Sequence, residues 1–450
     1  MECHSGYVWH ARMEVRMKLN YKRTFFVGLA FMSIAAFWQM YDNIIPLMLK
    51  NTFGLDETVT GVVMALDNVL ALFLLPLLGS LSDKVDTPIG KRTPFIIGGT
   101  AIAVLSLMFI PAADKGKNLF LFIALLGVVL IAMGTYRSPA VALMPDLTPK
   151  PLRSKANAVI NLMGAVGAVY TLIMVKLLVK GDTPNYQPLF LSVAGLMVLA
   201  VVVLVVTINE KKLSAEIIAL EEDVIEADKV DDTYKKDDKQ VDKNDKMPKE
   251  VRRSLYFILA SIFLWFTAYN AVTTAFSRYV VEVWKLEVGG FADALLVATV
   301  AAILSYLPIG QIASKIGRKK TIIGGIILMT ASYFAGSLII VYSPLINVVF
   351  AFTGIGWAAI SVNSLPMVLE ICKLSDTGKY TGIYYTTSMS AQILTPIISG
   401  VLLEKISYAT LFPYAVIFSF ASLCTMLMVK HGDSKPIKKA NAIENFDIVD

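Results

Sequence analysis

The fold of this chain follows from a short pattern that occurs twice: Gly79-Ser80-Leu81-Ser82-Asp83-Lys84 with Gly90-Lys91-Arg92, and Gly310-Gln311-Ile312-Ala313-Ser314-Lys315-Ile316-Gly317-Arg318-Lys319-Lys320. Each copy ends one long apolar segment, makes a tight basic turn and leads into another apolar segment. Glycine lets two helix ends approach closely, and an Arg/Lys cluster anchors a turn in water and lipid headgroups. Because the two copies occupy matching positions, the chain is predicted to consist of two related halves.

The composition indicates a membrane protein. Hydrophobic residues make up 56% of the chain, which exceeds the roughly 45–50% of soluble domains. Apolar runs of about 20 residues, each long enough to cross a bilayer, recur along the whole length. The predicted spans are 24–46, 57–79, 94–113, 119–143, 157–180, 188–208, 254–279, 290–312, 321–342, 346–369, 382–402 and 410–429. We therefore expect an all-α membrane protein with twelve transmembrane helices in two pseudo-symmetric six-helix bundles.

The position of the basic residues predicts the orientation. Lys and Arg cluster in the loops that follow even-numbered spans, so both termini are expected to face the cytoplasm. The expected location is the plasma membrane. The N-terminal residues lack an apolar core followed by a cleavage site, so no signal peptide is expected; Met13 and Met17 are alternative starts. The predicted parts are a tail (1–23), a bundle (24–208), a linker (209–253), a second bundle (254–429) and a tail (430–450).

The charged linker 209–253 mixes acidic and basic residues and cannot enter lipid. Its first part, Leu213, Ile217, Leu220 and Val224, has helical spacing and is expected to rest against the bundle. The net charge of +6 lies in loops between apolar spans, which argues against nucleic acid as a partner. The expected partners are the lipid bilayer and a small-molecule substrate, with the protein as a monomer.

Several function classes have no support in the sequence. The three cysteines form no pair at metal or disulfide spacing, and neither a metal site nor a cofactor is expected. A Walker loop, HExxH, GxSxG and paired His/Cys ligands are all missing, so an enzyme is not expected. A membrane sensor would be expected to carry a larger soluble domain than residues 209–253.

Acidic residues at helix ends accompany the basic turns. Asp146 ends an even-numbered span in the first half, and Glu370 does so in the second. Either carboxylate can pair with basic residues of the other half, or of a basic turn, when the inner side of the protein is closed; a solvated helix end with weak pairing is the alternative. The residues predicted to take part in gating are Gly79, Asp83, Arg92, Asp146, Gly310, Gly317, Arg318 and Glu370.

The two basic turns, the arrangement of six plus six spans and the central loop resemble the major facilitator superfamily over nearly the whole chain. The run Leu75-Pro76-Leu77-Leu78-Gly79-Ser80-Leu81-Ser82-Asp83, with Gly90-Lys91-Arg92-Thr93-Pro94-Phe95, resembles the sucrose–proton symporter branch, near the glycoside–pentoside–hexuronide:cation symporters. Ser138-Pro139-Ala140, Ala142-Leu143-Met144-Pro145-Asp146-Leu147 and Arg153-Ser154-Lys155-Ala156-Asn157 add to this resemblance.

The chain departs from that branch on helix 4. Plant sucrose carriers have an aspartate and an arginine there, and Leu130 and Val141 occupy those positions in this sequence. Arg137 lies one turn before Val141, so an arginine can still face the cavity, but the aspartate has no local replacement. Because of this departure, the resemblance does not establish the coupling site of this chain, nor does it establish sucrose as its substrate.

Carboxylates are the candidates for ion coupling. All three histidines, at positions 4, 10 and 431, lie in the tails, so none can relay protons inside the membrane. A charge inside the bilayer costs about 2.5–3.5 kcal/mol on insertion scales and therefore requires an explanation. Asp67 lies near the middle of helix 2, while Asp42 and Asp293 are expected near outer helix ends. Asp67 is the main candidate and Asp42 the second; a structural role is the alternative for either. The coupling ion is expected to be H⁺ or Na⁺.

Sugar recognition needs polar groups that match hydroxyls and flat aromatic faces in a largely apolar cavity. The resemblance implies a cavity lined by helices 1, 4, 7 and 10. The candidate substrate-binding residues are Gln39, Asn68, Tyr136, Arg137, Trp265, Tyr269, Asn270, Trp357, Asn363, Tyr385 and Gln392, with Thr273 and Tyr384 beside them. Packing or interfacial positions are the alternative for the aromatic residues, and snorkelling is the alternative for Arg137.

The sequence thus predicts a secondary active transporter, in which a sugar or glycoside moves with H⁺ or Na⁺ by alternating access between the halves. A proton-coupled exporter of a drug or small metabolite is the alternative, because the same scaffold supports many substrates.

Overall fold

The computed structural model describes residues 19–149, 152–219, 248–371 and 377–433. The described residues form twelve long helices and contain no β-strand. In chain order these helices are α1 (Tyr21–Asn51), α2 (Glu57–Asp83), α3 (Thr93–Lys115), α4 (Leu119–Asp146), α5 (Arg153–Leu178), α6 (Gln187–Thr207), α7 (Lys249–Glu282), α8 (Ala292–Ile316), α9 (Arg318–Ser337), α10 (Ile346–Glu370), α11 (Thr377–Lys405) and α12 (Leu411–Leu427). A short 3₁₀ helix, Tyr408–Thr410, precedes α12.

Each predicted span corresponds to one of these helices, and the predicted fold class is confirmed. Eleven of the described helices are long and apolar enough to cross a membrane. The remaining one, α9, begins with three basic residues and packs in the second half as α3 does in the first. The chain is therefore a multi-pass membrane protein. The ends of the helices differ from prediction by several residues: α1 continues to Asn51, and α7 already begins at Lys249.

The packing of the helices repeats between the halves. In the first half, α1 packs on α5 and α6, α4 packs on α2 and α3, and α3 also contacts α6. In the second half, α7 packs on α11 and α12, α10 packs on α8 and α9, and α9 also contacts α12. The internal repeat in the sequence thus corresponds to a repeat in three dimensions. The halves meet where α2 packs on α11, α5 on α8 and α1 on α7.

The two ends of the bundle are named here by the helices that reach them. The termini face is the side on which α1 and α7 begin and α6 and α12 end; the opposite face is the side on which α1 and α7 end. Residues 210–219 of the linker are helical and lie on the termini face, with Ile217 buried and Leu213 packed against the core. This agrees with the predicted apolar spacing. The other two residues of that pattern, Leu220 and Val224, most of the predicted linker and most of both predicted tails lie outside the described residues.

Candidate functional site

A cavity between the halves is outlined by the exposure pattern of α1 and α7. On α1, the partly exposed positions Ala35, Trp38, Gln39 and Asp42 follow helical spacing, and residues 43–49 beyond them are all buried. On α7, the partly exposed positions of this part of the helix are residues 263, 264, 266, 269, 270, 273 and 274, and residues 275–280 are all buried. The exposed positions end eight or nine residues before the opposite face on both helices, so we infer that the cavity opens toward the termini face and is closed on the opposite side.

The two candidate coupling carboxylates lie at one depth. Asp67 lies ten residues after the start of α2, and Asp42 lies nine residues before the end of α1. At 1.5 Å per residue, each is about 14 Å from the opposite face. The expectation that Asp42 lies near an outer helix end was wrong, because α1 extends beyond residue 46. Asp293, by contrast, lies in the first turn of α8, as expected, and pairs with Lys176.

Arg137 lies near both carboxylates. Its side chain is half-buried, interacts electrostatically with Asp42 and Asp67, and places its guanidinium carbon 5.9 Å from the centroid of the Trp38 ring. The Asp67 carboxylate accepts hydrogen bonds from the backbone N–H and the side-chain amide of Asn68, at 2.5 and 2.8 Å. Within the described part of the chain, Asp42 makes no hydrogen bond or ion pair. The arrangement therefore leaves two carboxylates and one guanidinium beside the cavity without a salt bridge between them.

The second half contributes an aromatic wall. The rings of Tyr269 on α7 and Trp357 on α10 are stacked, with centroids 3.8 Å apart and planes at 9°. Phe266 meets Trp357 edge-on at 5.3 Å. On α11, Tyr385 and Gln392 are also half-buried. These contacts hold the aromatic side chains in fixed orientations beside Asn270, whose amide nitrogen has no hydrogen-bond partner among the described residues.

Three predicted substrate-binding residues do not reach the cavity. Tyr136 is fully buried, and its hydroxyl lies 2.5 Å from that of Ser33 and 3.0 Å from the Ala30 carbonyl, so it ties α4 to α1. Trp265 is 1% exposed and lies in the core. Asn363 is buried and donates its side-chain amide to the Ala359 carbonyl of its own helix. The positions of Tyr136 and Trp265 fit the packing alternative given above for membrane aromatic residues.

Sequence reasoning missed Trp38. Its indole lies one turn before Asp42, on the cavity side of α1, and its Nε1–H is buried without a hydrogen-bond partner among the described residues. The side chains of Phe37 and Tyr41 meet the indole edge-on, at 5.0 and 5.4 Å. The four-residue spacing from Asp42 was the signal that could have identified it.

A second missed feature is an ion-pair network at the opposite face. Glu57 of α2 and Arg278 of α7 form a buried pair across the halves at 2.8 Å, with both side chains 4% exposed. Lys50 of α1 lies 3.0 Å from Glu57 and 3.2 Å from Glu282 of α7. The hydroxyl of Tyr408 contacts both Lys50 and Glu57. We call these five residues the opposite-face network; they join the halves where the cavity ends.

Further contacts between the halves lie at the same face. The backbone N–H of Thr58 donates to Glu404 at 3.0 Å, and Lys176 pairs with Asp293 at 2.6 Å. On Gly400, a β-carbon would lie 2.5 Å from the Glu57 carbonyl oxygen. The backbones of α2 and α11 therefore pack too closely there for any side chain, which closes the opposite face.

The predicted gating residues of the first basic turn form one cluster at the termini face. Arg92 is 4% exposed; it donates to Asp146 at 2.9 Å and to the Gly79 carbonyl at 3.2 Å, and also contacts Asp83 and Ser82. All of these partners belong to its own half. The sequence left open whether Asp146 pairs with the other half or with a basic turn; in the structure it pairs with Arg92 of the adjacent turn in its own bundle, while the cavity is open to this face.

The second basic turn is similar but more exposed. Arg318 pairs with Glu370 of its own half at 2.7 Å, with side chains 20% and 23% exposed. Gly310 lies in α8, two helical turns before Gly317. Gly317 has a φ of +97°, a backbone conformation that disfavours residues other than glycine. The pairing of Arg318 with Glu370 repeats that of Arg92 with Asp146.

A carboxylate from the end of each half caps the helix that follows each basic turn. Glu210, in the linker, accepts from the backbone N–H groups of Lys91, Arg92 and Thr93, each at 2.8 Å. Asp433, just after α12, accepts from the N–H of Lys319 at 2.9 Å. Exposed N–H groups at a helix start favour such an anion. Each bundle thus fixes its own basic turn through the residue that follows its sixth helix.

Comparison with known proteins agrees with this architecture. Residues 27–305 and 284–445 match the family model of the Major Facilitator Superfamily. Because the match covers most of the chain, the protein belongs to this superfamily of membrane transporters. No curated protein sequence matches the chain significantly.

Several solved transporter structures share the fold. A POT family transporter in complex with 5-aminolevulinic acid is 13% identical, with a TM-score of 0.68 over 91% of this chain and 95% of that one. A variant of the nucleoside transporter NupG is 13% identical, with a TM-score of 0.64 over 90% and 100%. The xylose transporter XylE from E. coli, in an inward open conformation, is 14% identical, with a TM-score of 0.64 over 92% and 96%.

Proposed function

We propose that this protein is a cation-coupled symporter of a sugar or glycoside that works by alternating access, with H⁺ or Na⁺ as the coupling ion. The observation that carries the proposal is the group of Asp42, Asp67 and Arg137 beside a cavity that lies between the halves and opens to one face. Ionisable residues at this depth in a membrane protein mark substrate and ion pathways.

The charges of this group fit the binding of one cation. When both carboxylates are ionised, the two carboxylates and the guanidinium together carry one net negative charge beside a cavity surrounded by apolar helices. A bound H⁺ or Na⁺ would neutralise it, and a neutral substrate could then enter without a further charge. The oxygen atoms of Asp67 and Asn68 could serve Na⁺, and either carboxylate could hold a proton.

A sugar or glycoside fits the rest of the cavity wall. The half-buried side chains of Gln39 and Gln392 carry amides that can exchange hydrogen bonds with hydroxyl groups. The stacked pair of Tyr269 and Trp357 offers a rigid aromatic surface. The resemblance of the first basic turn and of residues 138–157 to sucrose and glycoside symporters supports the same substrate class, although helix 4 lacks the aspartate of the plant sucrose carriers.

The orientation and the cycle follow from the proposal. With the termini face in the cytoplasm of a plasma-membrane protein, the conformation described here is closed to the outside and open to the inside. The opposite-face network would open when substrate and ion enter from outside. The basic turns of residues 84–92 and 317–320 would then bring the halves together on the cytoplasmic side.

Transport by the purified protein in liposomes tests the proposal. Radiolabelled D-glucose, D-xylose, sucrose and maltose are offered separately, with an imposed pH gradient, an imposed Na⁺ gradient, or neither. We expect one or more sugars to accumulate only when one of the gradients is directed inward. Uptake that reaches equilibrium but ignores both gradients would indicate a uniporter. Efflux driven by an opposing proton gradient would favour the exporter.

A further inference from the structure

The helices α9 and α12 lie side by side on the outer surface of the second half and run in opposite directions. The Thr330 hydroxyl on α9 donates to that of Ser419 on α12 at 3.0 Å. At the termini face, the ammonium of Lys319 donates to the Val429 carbonyl at 2.6 Å. Because the numbers of the paired residues rise along one helix and fall along the other, residue 324 of α9 lies level with residue 424 of α12.

A shallow groove follows the outer side of this helix pair. Gly324 and Cys424, which lie level with each other, are both exposed, and a β-carbon on Gly324 would have open space around it. Further exposed positions continue the groove away from the termini face with helical spacing, and all of them are apolar: 327, 331 and 334 on α9, and 413, 417 and 420 on α12. We call this surface the α9–α12 groove; its shape and its apolar lining suit a hydrocarbon chain.

Two lysines lie at the end of the groove that reaches the termini face. Lys320 lies one turn before Gly324 on the same face of α9, and Lys430 follows α12 by three residues. Both side chains are exposed, and within the described part of the chain neither ammonium makes a hydrogen bond or an ion pair. Each is a compact cation with three N–H donors, which is the chemistry that binds a phosphate group.

The surroundings of these lysines add no unpaired acid. Of the two described carboxylates nearby, Glu370 pairs with Arg318 at 2.7 Å, and Asp433 accepts from a backbone N–H of the second basic turn at 2.9 Å. Arg253 is exposed at the start of α7, and the residue after it, Ser254, accepts from the backbone N–H of residue 430 at 3.2 Å. An anion at this end of the groove would therefore meet unpaired positive charge.

The first half has a similar surface without the two lysines. Its α3 carries the same Gly-Gly pair as α9, and Gly98 also leaves open space where a β-carbon would lie. Aligning these pairs places Pro94 at the position of Lys320, and aligning the carboxylates that cap the two basic turns places Thr207 at the position of Lys430. Both equivalents are uncharged, so the pair of free ammonium groups belongs to the second half alone and does not follow from the repeat.

We propose that the α9–α12 groove binds an anionic phospholipid from the leaflet at the termini face. Its phosphate would lie between Lys320 and Lys430, and one acyl chain would lie beside Gly324. Basic residues near a membrane surface attract negatively charged headgroups, whereas phosphatidylcholine carries its own compensating cation. The bound lipid would join α9 to the segment after α12, next to the second basic turn. The site lies outside the cavity and is independent of the transported substrate.

Lipid binding by the purified full-length protein tests the proposal. The delipidated protein in detergent is titrated with dioleoyl phosphatidylglycerol or dioleoyl phosphatidylcholine, and bound lipids are counted by native mass spectrometry. We expect one phosphatidylglycerol to bind much more tightly than phosphatidylcholine. Combining Lys320→Gln with Lys430→Gln should weaken this binding about 30-fold, which corresponds to about 2 kcal/mol for two lysines. Lys320→Gln alone should weaken it about fivefold, and it replaces the double variant if that does not fold.

Two further variants separate this site from general surface charge. Lys22→Gln combined with Lys212→Gln removes the same charge from exposed positions of the first half at the same face, and it should bind phosphatidylglycerol normally. Gly324→Leu fills the groove without touching a neighbour, and it should lose the binding although both lysines remain. Equal affinity of the unaltered protein for the two lipids would overturn the proposal. So would undiminished binding after loss of the lysines or in Gly324→Leu, or an equal loss in the first-half variant.

Discussion

The two halves of this transporter share one architecture but carry different chemistry at the cavity. Aligning Gly310 with Gly79, an offset of 231 residues, places Thr273 where the first half has Asp42, and Ala298 where it has Asp67. Aligning Pro366 with Pro139 places Ser364 opposite Arg137. All three charges therefore lie in the first half, and their counterparts are neutral. Under the proposed function, the first half would hold the coupling ion, while the second half would contribute mainly to substrate binding.

The largest effect is expected from Asp67→Asn. The change keeps the size of the side chain but removes the charge that would bind the coupling ion, so substrate should no longer accumulate against its gradient. The measurement is gradient-driven uptake in liposomes. Asp293→Asn is the control, because the Asp293 carboxylate is half-exposed and forms an ion pair at a helix end. The Asp293→Asn variant should accumulate substrate normally. If Asp67→Asn still concentrates substrate, the carboxylate is structural and Asp42 becomes the main candidate.

Arg137→Lys should follow in size. A lysine keeps the charge but loses the planar guanidinium that lies over Trp38. A loss of about 2 kcal/mol would reduce the initial rate of transport about 30-fold. Ser364→Ala, at the matching position, removes only a hydroxyl that hydrogen-bonds to that of Tyr384 at 2.9 Å, and it should change transport little. Full activity in Arg137→Ala would show that this side chain only reaches for the membrane surface.

The opposite-face network should control the balance between conformations. Arg278→Ala leaves Glu57 without its buried partner, and such a loss typically costs about 3–5 kcal/mol. The pair can join the halves only while the opposite face is closed. The conformation described here should therefore lose stability relative to the outward-open conformation.

Labelling measures this shift. In a protein with its three native cysteines replaced, Gln39→Cys reports access to the cavity from outside through a membrane-impermeant thiol reagent. Because Glu57 keeps Lys50 and Tyr408 as partners in Arg278→Ala, we expect about 1.4 kcal/mol of this loss to shift the equilibrium, which would speed labelling about tenfold. Lys176→Ala, which breaks a half-exposed pair, should alter labelling much less. Equal labelling rates with and without Arg278 would exclude the network as the contact that keeps this face closed.

The basic turns should give the smallest effects, and unequal ones. Arg92 is buried and contacts four groups of its half, whereas Arg318 is partly exposed and contacts Glu370. Arg92→Ala should therefore slow transport by about fivefold, corresponding to about 1 kcal/mol, and Arg318→Ala by less. Asp83→Asn should act in the same direction as Arg92→Ala.

Substrate affinity in detergent separates gating from binding in these variants. Both turns lie at the termini face, far from Asp42 and Asp67 in the cavity, so the affinity should remain nearly unchanged while the rate falls. A large loss of affinity with normal cycling would contradict a gating role for the turns.

The sequence predicted the fold because membrane helices follow from local composition. Apolar length, the repeated basic turn and the distribution of Lys and Arg are all properties of contiguous residues, and each predicted span corresponds to a helix. The pairing of Asp146 with a basic turn was also foreseeable, since both lie at helix ends on one face.

The candidate site was only partly predictable, because it depends on helix rotation. The sequence made both Trp265 and Tyr269 substrate-binding candidates, yet the rotation of α7 buries the first and leaves the second partly exposed. The opposite-face network was not foreseeable either. Glu57 and Arg278 are more than 200 positions apart, and no periodicity links them; their contact arises from the packing of the two halves.

The most direct test of the central claim, that the charges of the first half couple an ion to substrate, measures cation movement itself. Liposomes containing a pH-sensitive dye, or assayed with ²²Na⁺, are given a substrate gradient, and cation entry and substrate counterflow are recorded in the same preparation. We expect substrate to drive cation entry in the unaltered protein. Asp67→Asn should lose cation entry yet retain counterflow. Undiminished substrate-driven cation entry in Asp67→Asn would contradict the account.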